Sequence, residues 1–152
     1  MKITLYLTLA FVCRASLGQS LTADIKSEYD NIEASRTLFT QSLKSKDYLP
    51  LMKCVTKNFI SINPGTVPWK VINEMFEKRG GIPYDSVQMK PIETVIVSDS
   101  IAYDFGTRKT YYTNEQGKVV ELQDTYLAIL KKGKDNIWKM HRDVASGLVE
   151  EN

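Results

Sequence analysis

The stretch NIWKMHRDVAS, Asn136 to Ser146, sets the only histidine of the chain beside an arginine and an aspartate. These residue types move protons and bind anions. Taken as a strand, the stretch puts Trp138, Met140, Arg142 and Val144 on one face and Lys139, His141 and Asp143 on the other. The second set is an ordinary solvent face, so His141 is a surface or interface residue and Arg142 the charge turned inward.

The same alternation in VVELQDTYLAILKK groups Val120, Leu122, Tyr126, Ala128 and Leu130 on an apolar face, with Asp124 among them. Near the start of the chain, Ile25, Tyr29, Ile32, Arg36, Phe39 and Leu43 recur at spacings of 4, 3, 4, 3 and 4, one face of a long helix. Three elements thus each turn one ionisable residue toward an apolar side: Arg36, Asp124 and Arg142. A bulge would invert any of the strand assignments.

Buried charges must be paired, because desolvation costs several kcal/mol per ion. One outcome is structural, an ion pair of Asp124 with an arginine, or arginines snorkelling to the rim. The other is a pocket between the first helix and the sheet, walled by apolar and aromatic side chains. Two arginines against one aspartate would make it net positive and suited to a carboxylate or other small anion. That balance argues against Asp124 as a general base, since an arginine lowers a carboxyl pKa. Tyr103 and Tyr126 are the tyrosines whose alternation points inward. With Trp138 they complete a candidate ligand-binding set of Arg36, Tyr103, Asp124, Tyr126, Trp138 and Arg142; Asp124 is the catalytic candidate only if the protein is an enzyme.

Other chemistries lack their residues. One histidine and few cysteines cannot build the usual zinc site, and no phosphate loop, nucleophile elbow or dinucleotide fingerprint occurs. No metal or cofactor is therefore expected.

The elements that would position these residues follow a clear order. MKITLYLTLAFVCRASLGQS begins with Lys2, continues with an apolar run from Ile3 to Val12, and ends in small residues before Gln19, the pattern of a secretory signal peptide over residues 1–18. The run is too short to span a bilayer, which takes about 20 residues. The expectation is a secreted protein with one domain over residues 19–152. Losing Lys2 and Arg14 takes Lys+Arg from 20 to 18 against 18 Asp+Glu, a formal charge of zero. A neutral chain gives no electrostatic case for nucleic acid or an anionic membrane. Cys54 would remain alone, so no intrachain disulfide is expected.

After the long helix, Asp47 is placed to cap a short helix through YLPLMKCV, followed by a strand NFISI and a turn NPG. VPWKVINEMFEKRGG fits a third helix, started by Pro68 and stopped by Gly80 and Gly81. Four extended segments complete the chain: VQMKPIETVIVS, in which Pro91 marks a bulge or edge, SIAYDFGTRKTYYT, VVELQDTYLAILKK and IWKMHRDVA. Helices followed by hairpin-linked strands make an α+β domain, with helices on one face of an antiparallel sheet.

This order resembles the cone-shaped nuclear transport factor 2-like fold, in which three N-terminal helices pack on a curved antiparallel sheet. The likeness is to its SnoaL-like branch and a related domain family of unknown function. It is carried by FTQSLKSKDYLPLMKCVTKNFISINPG, by DSIAYDFGTRKTYYT and by NIWKMHRDVAS, in that order, and covers nearly all of Asp24 to Gly147. The resemblance implies a pocket between the helices and the concave sheet, and often a homodimer through the outer sheet face. Members include cyclases, ketosteroid isomerases, dehydratases, transport adaptors and a kinase association domain, so fold alone does not assign activity. Some members carry a histidine near the positions held here by Arg142 and Val144. This chain has none there, and no second inward carboxylate is expected to pair with Asp124. The expected function is a secreted protein binding a small, partly apolar, anionic molecule. The alternatives are an isomerase- or cyclase-type enzyme using Asp124, and a dimeric interaction module without ligand.

Overall fold

The structure is a computed structural model that describes residues 7–65, 70, 74, 75, 77, 78 and 81–148, with side chains from Asp24 onward. Two helices, α1 (Leu7–Ser45) and α2 (Tyr48–Cys54), precede five strands. These are β1 (Val55–Ile62), β2 (Ser86–Ser98), β3 (Ile101–Thr113), β4 (Val119–Lys132) and β5 (Trp138–Leu148). The helix expected over VPWKVINEMFEKRGG falls largely outside the described residues; Lys70, Glu74, Met75, Glu77 and Lys78 are helical.

Helix α1 ends where Lys46 takes a left-handed φ of 57° and the Asp47 amide donates to the Ser42 carbonyl at 3.1 Å. Asp47 then caps α2, its Oδ1 accepting from the Leu49 amide at 3.0 Å. On α1 the buried stripe is Ile32, Ser35, Arg36, Phe39, Ser42 and Leu43, whereas Ile25 and Tyr29 stay exposed.

The sheet order is β1-β5-β4-β3-β2. The four later strands are antiparallel, but β1 runs parallel to β5, so the sheet is mixed and not antiparallel throughout. Pro91 lies on the edge strand β2 beside a register shift opposite Gly106. A Cβ on Gly106 would meet the Lys90 carbonyl oxygen at 2.2 Å, so only glycine fits there.

Two register features decide which side chains face the helices. On β3 the buried face is Ala102, Asp104, Gly106, Arg108, Thr110 and Tyr112. Tyr103 lies on the opposite face, in a row with Ile129 of β4 and Val95 of β2. In β5, Met140 pairs with Leu130 while Arg142 pairs with Ile129, so His141 is an extra residue, a bulge that inverts the alternation. Asp143 and Ala145 therefore turn inward, and Arg142 and Val144 outward. The expected inward positions of Tyr103 and Arg142 are both corrected, the first because β3 buries its less apolar face, the second by the bulge.

Candidate functional site

Among the described residues five charged side chains end up under the helices: Arg36, Asp104, Arg108, Asp124 and Asp143 are all 5 % exposed or less. They form two groups along the inner sheet face.

The first group ties α1 to β3. Arg36 donates from Nε and Nη2 to the two oxygens of Asp104 at 2.7 and 3.0 Å. Asp104 also accepts from Thr94 Oγ1 at 2.6 Å and from the Tyr126 hydroxyl at 3.2 Å. Glu33 reaches the remaining Arg36 nitrogen, Nη1. Every polar atom of the carboxylate is thus matched, which is what a buried ion pair needs. Burial works against the Arg36 charge, but Asp104 more than compensates and raises its pKa. Tyr126 is also raised, by burial first and by the nearby Asp104 charge second.

The second group spans β3, β4 and β5. Arg108 and Asp124 are direct cross-strand partners, with Nε to Oδ1 at 3.1 Å and Nη2 to Oδ2 at 3.4 Å. Arg108 Nη1 donates to Asp143 Oδ2 at 2.8 Å, and Ser61 Oγ donates to the same oxygen at 2.9 Å. Asp143 Oδ1 on β5 and Thr110 Oγ1 on β3 are buried with no hydrogen-bond partner among the described residues. One arginine here faces two carboxylates. Desolvation opposes the Arg108 charge, which Asp143 and Asp124 nevertheless hold raised. Burial also lifts the Asp124 carboxyl above its ordinary value despite Arg108.

A cavity of about 350 Å³ opens over this second group. Phe39 and Leu43 of α1, Leu51 of α2, Val55 and Phe59 of β1 and Val87 of β2 supply an apolar wall, joined by Ile82 and Tyr84. Arg108, Thr110, Asp143, Ser61 and Asn63 provide the polar groups. Phe39 and Phe59 meet edge to face with centroids 6.2 Å apart. A largely apolar wall with a few convergent polar groups is the usual make-up of a small-molecule site.

None of the six residues expected to bind ligand lines this cavity. Arg36 and Tyr126 belong to the Asp104 group, and Asp124 stands behind Arg108. Trp138 lies toward another part of the helix–sheet interface, its Nε1 donating to Glu28 Oε2 at 2.6 Å beside Lys132. Tyr103 is on the outer face. Arg142, also outward, donates to the Asn58 and His141 carbonyls at 2.9 and 2.6 Å. His141 Nδ1 lies 3.0 Å from Thr56 Oγ1, and desolvation with Arg142 and Lys131 lowers its pKa. A second inward carboxylate does exist: it is Asp143, which the bulge delivers. The two-arginine, net-positive arrangement does not form. A signal for the missed residues was present in β3, where Asp104 and Arg108 flank Gly106 on one face as opposite charges four positions apart. Cys54 is buried and its thiol is pushed up to about 11 by desolvation, so it packs as a small apolar side chain. No cluster of histidine, cysteine, aspartate and glutamate able to hold a metal ion occurs among the described residues.

Solved structures share this architecture. A ketosteroid isomerase-like protein from Erwinia carotovora atroseptica superposes with a TM-score of 0.59 at 19% identity, over 78% of this chain and 95% of that one. A nuclear transport factor 2-like superfamily protein from Salmonella enterica serovar Typhimurium gives 0.61 at 12% identity, over 84% and 96%. The fold is nuclear transport factor 2-like. A protein of that fold and unknown function from Prochlorococcus gives 0.60 at 17% identity, over 81% and 94%. No family model matches the chain, and no curated protein matches it. At these identities the nuclear transport factor 2-like fold is what is shared, and the cavity must be read from its own residues.

Proposed function

We propose that this chain is a secreted, dimeric small-molecule-binding protein whose ligand occupies the cavity between α1, α2 and the inner sheet face. The observation that carries this reading is the cavity itself, whose apolar wall from α1, α2, β1 and β2 meets the polar side chains of Arg108, Thr110, Asp143, Ser61 and Asn63. The ligand is small and largely apolar, with one polar end.

The isomerase-type alternative loses support, because Asp124 does not line the cavity and is held by Arg108. Secretion rests on the apolar run of Ile3 to Val12 with Lys2 before it and small residues after it. The homodimer rests on the outer sheet face, where Ile62, Val144, Leu127 and Phe105 form one exposed cross-strand row next to Ile60 and Ile129. Such a contiguous apolar surface favours burial against a second copy.

Native mass spectrometry of protein secreted from a eukaryotic host tests all three parts. The expected species is a dimer starting near Gln19 that carries a small added mass. Leu51→Trp, a half-buried wall position, removes that mass, and Leu127→Glu yields monomer. A species with an intact Met1, or a mass retained in Leu51→Trp, contradicts the corresponding part.

A further inference from the structure

The buried and the exposed parts of the cavity lining differ in charge. In the buried part, Arg108 Nη1 donates to Asp143 Oδ2 at 2.8 Å, while Nε and Nη2 donate to Asp124, which lies behind Arg108, at 3.1 and 3.4 Å. An anion placed there would meet Asp143 with like charge and an arginine whose three nitrogens are already engaged. The exposed rim is different. Val55, Lys57, Phe59 and Ser61 take alternate positions on β1 and all four line the cavity, so Lys57 stands on the strand face turned toward it. Lys57 and Ser61 are exposed, as is Met52 of α2 on the same rim. A lysine so placed keeps its ammonium in water at the edge of an apolar wall.

Lys57 makes no ion pair among the described residues. Its own neighbourhood supplies no carboxylate, since α2 and β1 together carry Lys53 and Lys57 and no aspartate or glutamate. Of the three charged side chains that line the cavity, Arg108 and Asp143 neutralise each other and Lys57 remains. An apolar interior beneath a cationic rim matches an amphiphile with an anionic head. Building on the binding reading above, we infer that the cavity takes a small amphiphilic carboxylate, an alkanoate or arylalkanoate. Its tail points inward against Phe39, Leu43 and Val87, and its carboxylate sits at the rim beside Lys57. No bond is made or broken; the inference concerns recognition alone.

Three probes with one tail test it: octanoate, octanol and octylamine, titrated calorimetrically at about pH 7, where the acid is ionised, into protein secreted from a eukaryotic host. Octanoate is expected to bind roughly threefold to fivefold more tightly than octanol, the advantage of a solvent-screened ion pair, with octylamine weakest. Raising the salt narrows that ratio. Lys57→Gln is expected to abolish the preference for carboxylate over alcohol, while Lys57→Arg and Lys53→Gln keep it. Leu51→Trp is expected to abolish binding of all three, which places them in the cavity and not on the outer sheet face. Octanol or octylamine binding as tightly as octanoate overturns the carboxylate inference and leaves the pocket reading standing. A preference that survives Lys57→Gln, or that Lys53→Gln removes as completely, overturns Lys57 as the anchor. Failure of all three to bind, or binding retained in Leu51→Trp, overturns the inference and the pocket reading together.

Discussion

Two buried ion-pair groups lie side by side on the inner sheet face, and they differ in one respect that separates structure from function. In the Arg36–Asp104 group every carboxylate oxygen has donors: the bidentate arginine, Thr94 and Tyr126. In the Arg108–Asp124–Asp143 group two carboxylates share one arginine, and Asp143 Oδ1 and Thr110 Oγ1 have no partner among the described residues. Both groups cost desolvation. The first recovers it internally and clamps α1 to β3. The second borders a cavity. Burial of charge alone therefore does not mark a site.

The contrast can be broken most severely at the clamp. Asp104→Ala leaves Arg36 buried without its main partner and is expected to cost roughly 3–5 kcal/mol in urea unfolding. A cost near zero would mean that Arg36 escapes to solvent and the clamp is not structural. Gly106 separates the two groups on β3, and Gly106→Ala pushes a methyl into the Lys90 backbone. Overpacking against backbone is expected to cost about 1–3 kcal/mol. Asp143→Asn is milder. Arg108 keeps Asp124, and the amide still offers an oxygen to Arg108 and Ser61, so a stability change of about 1 kcal/mol or less is expected.

The smallest effect is in the pH dependence of Asp124. Its folded pKa is raised, so its contribution to stability is fully present below the ordinary carboxylate value and is lost as pH rises through the folded value. Urea unfolding from about pH 4 to pH 7 should show wild type losing ground to Asp124→Asn as pH increases. The opposite slope would mean that Arg108 outweighs burial.

Much of the fold was legible. The spacing of Ile32, Phe39 and Leu43 gave the buried stripe of α1, Asp47 gave the cap of α2, and Pro91 gave an edge strand with its irregularity. The parallel pairing of β1 with β5 was not legible, because pairing partners are long-range and leave no periodic trace. The candidate site was read one residue out of phase in β5, since a single bulge at His141 exchanges Arg142 for Asp143. In β3 the error had another origin. The sheet is apolar on both faces, so Tyr103, which alternates with Ile101 and Phe105, reads as inward while the inner face carries Asp104, Arg108 and Thr110. Hydrophobicity marks the core only where the other face meets water.

The most direct test of the contrast is a two-dimensional amide NMR titration of the mature protein with phenethyl alcohol, the neutral probe that asks only for the pocket. Saturable shifts are expected at Phe59, Ser61, Tyr84, Thr110 and Asp143, with the amides of Arg36 and Asp104 unmoved. Saturable shifts centred on the Arg36–Asp104 group, or none at the cavity, would contradict the account.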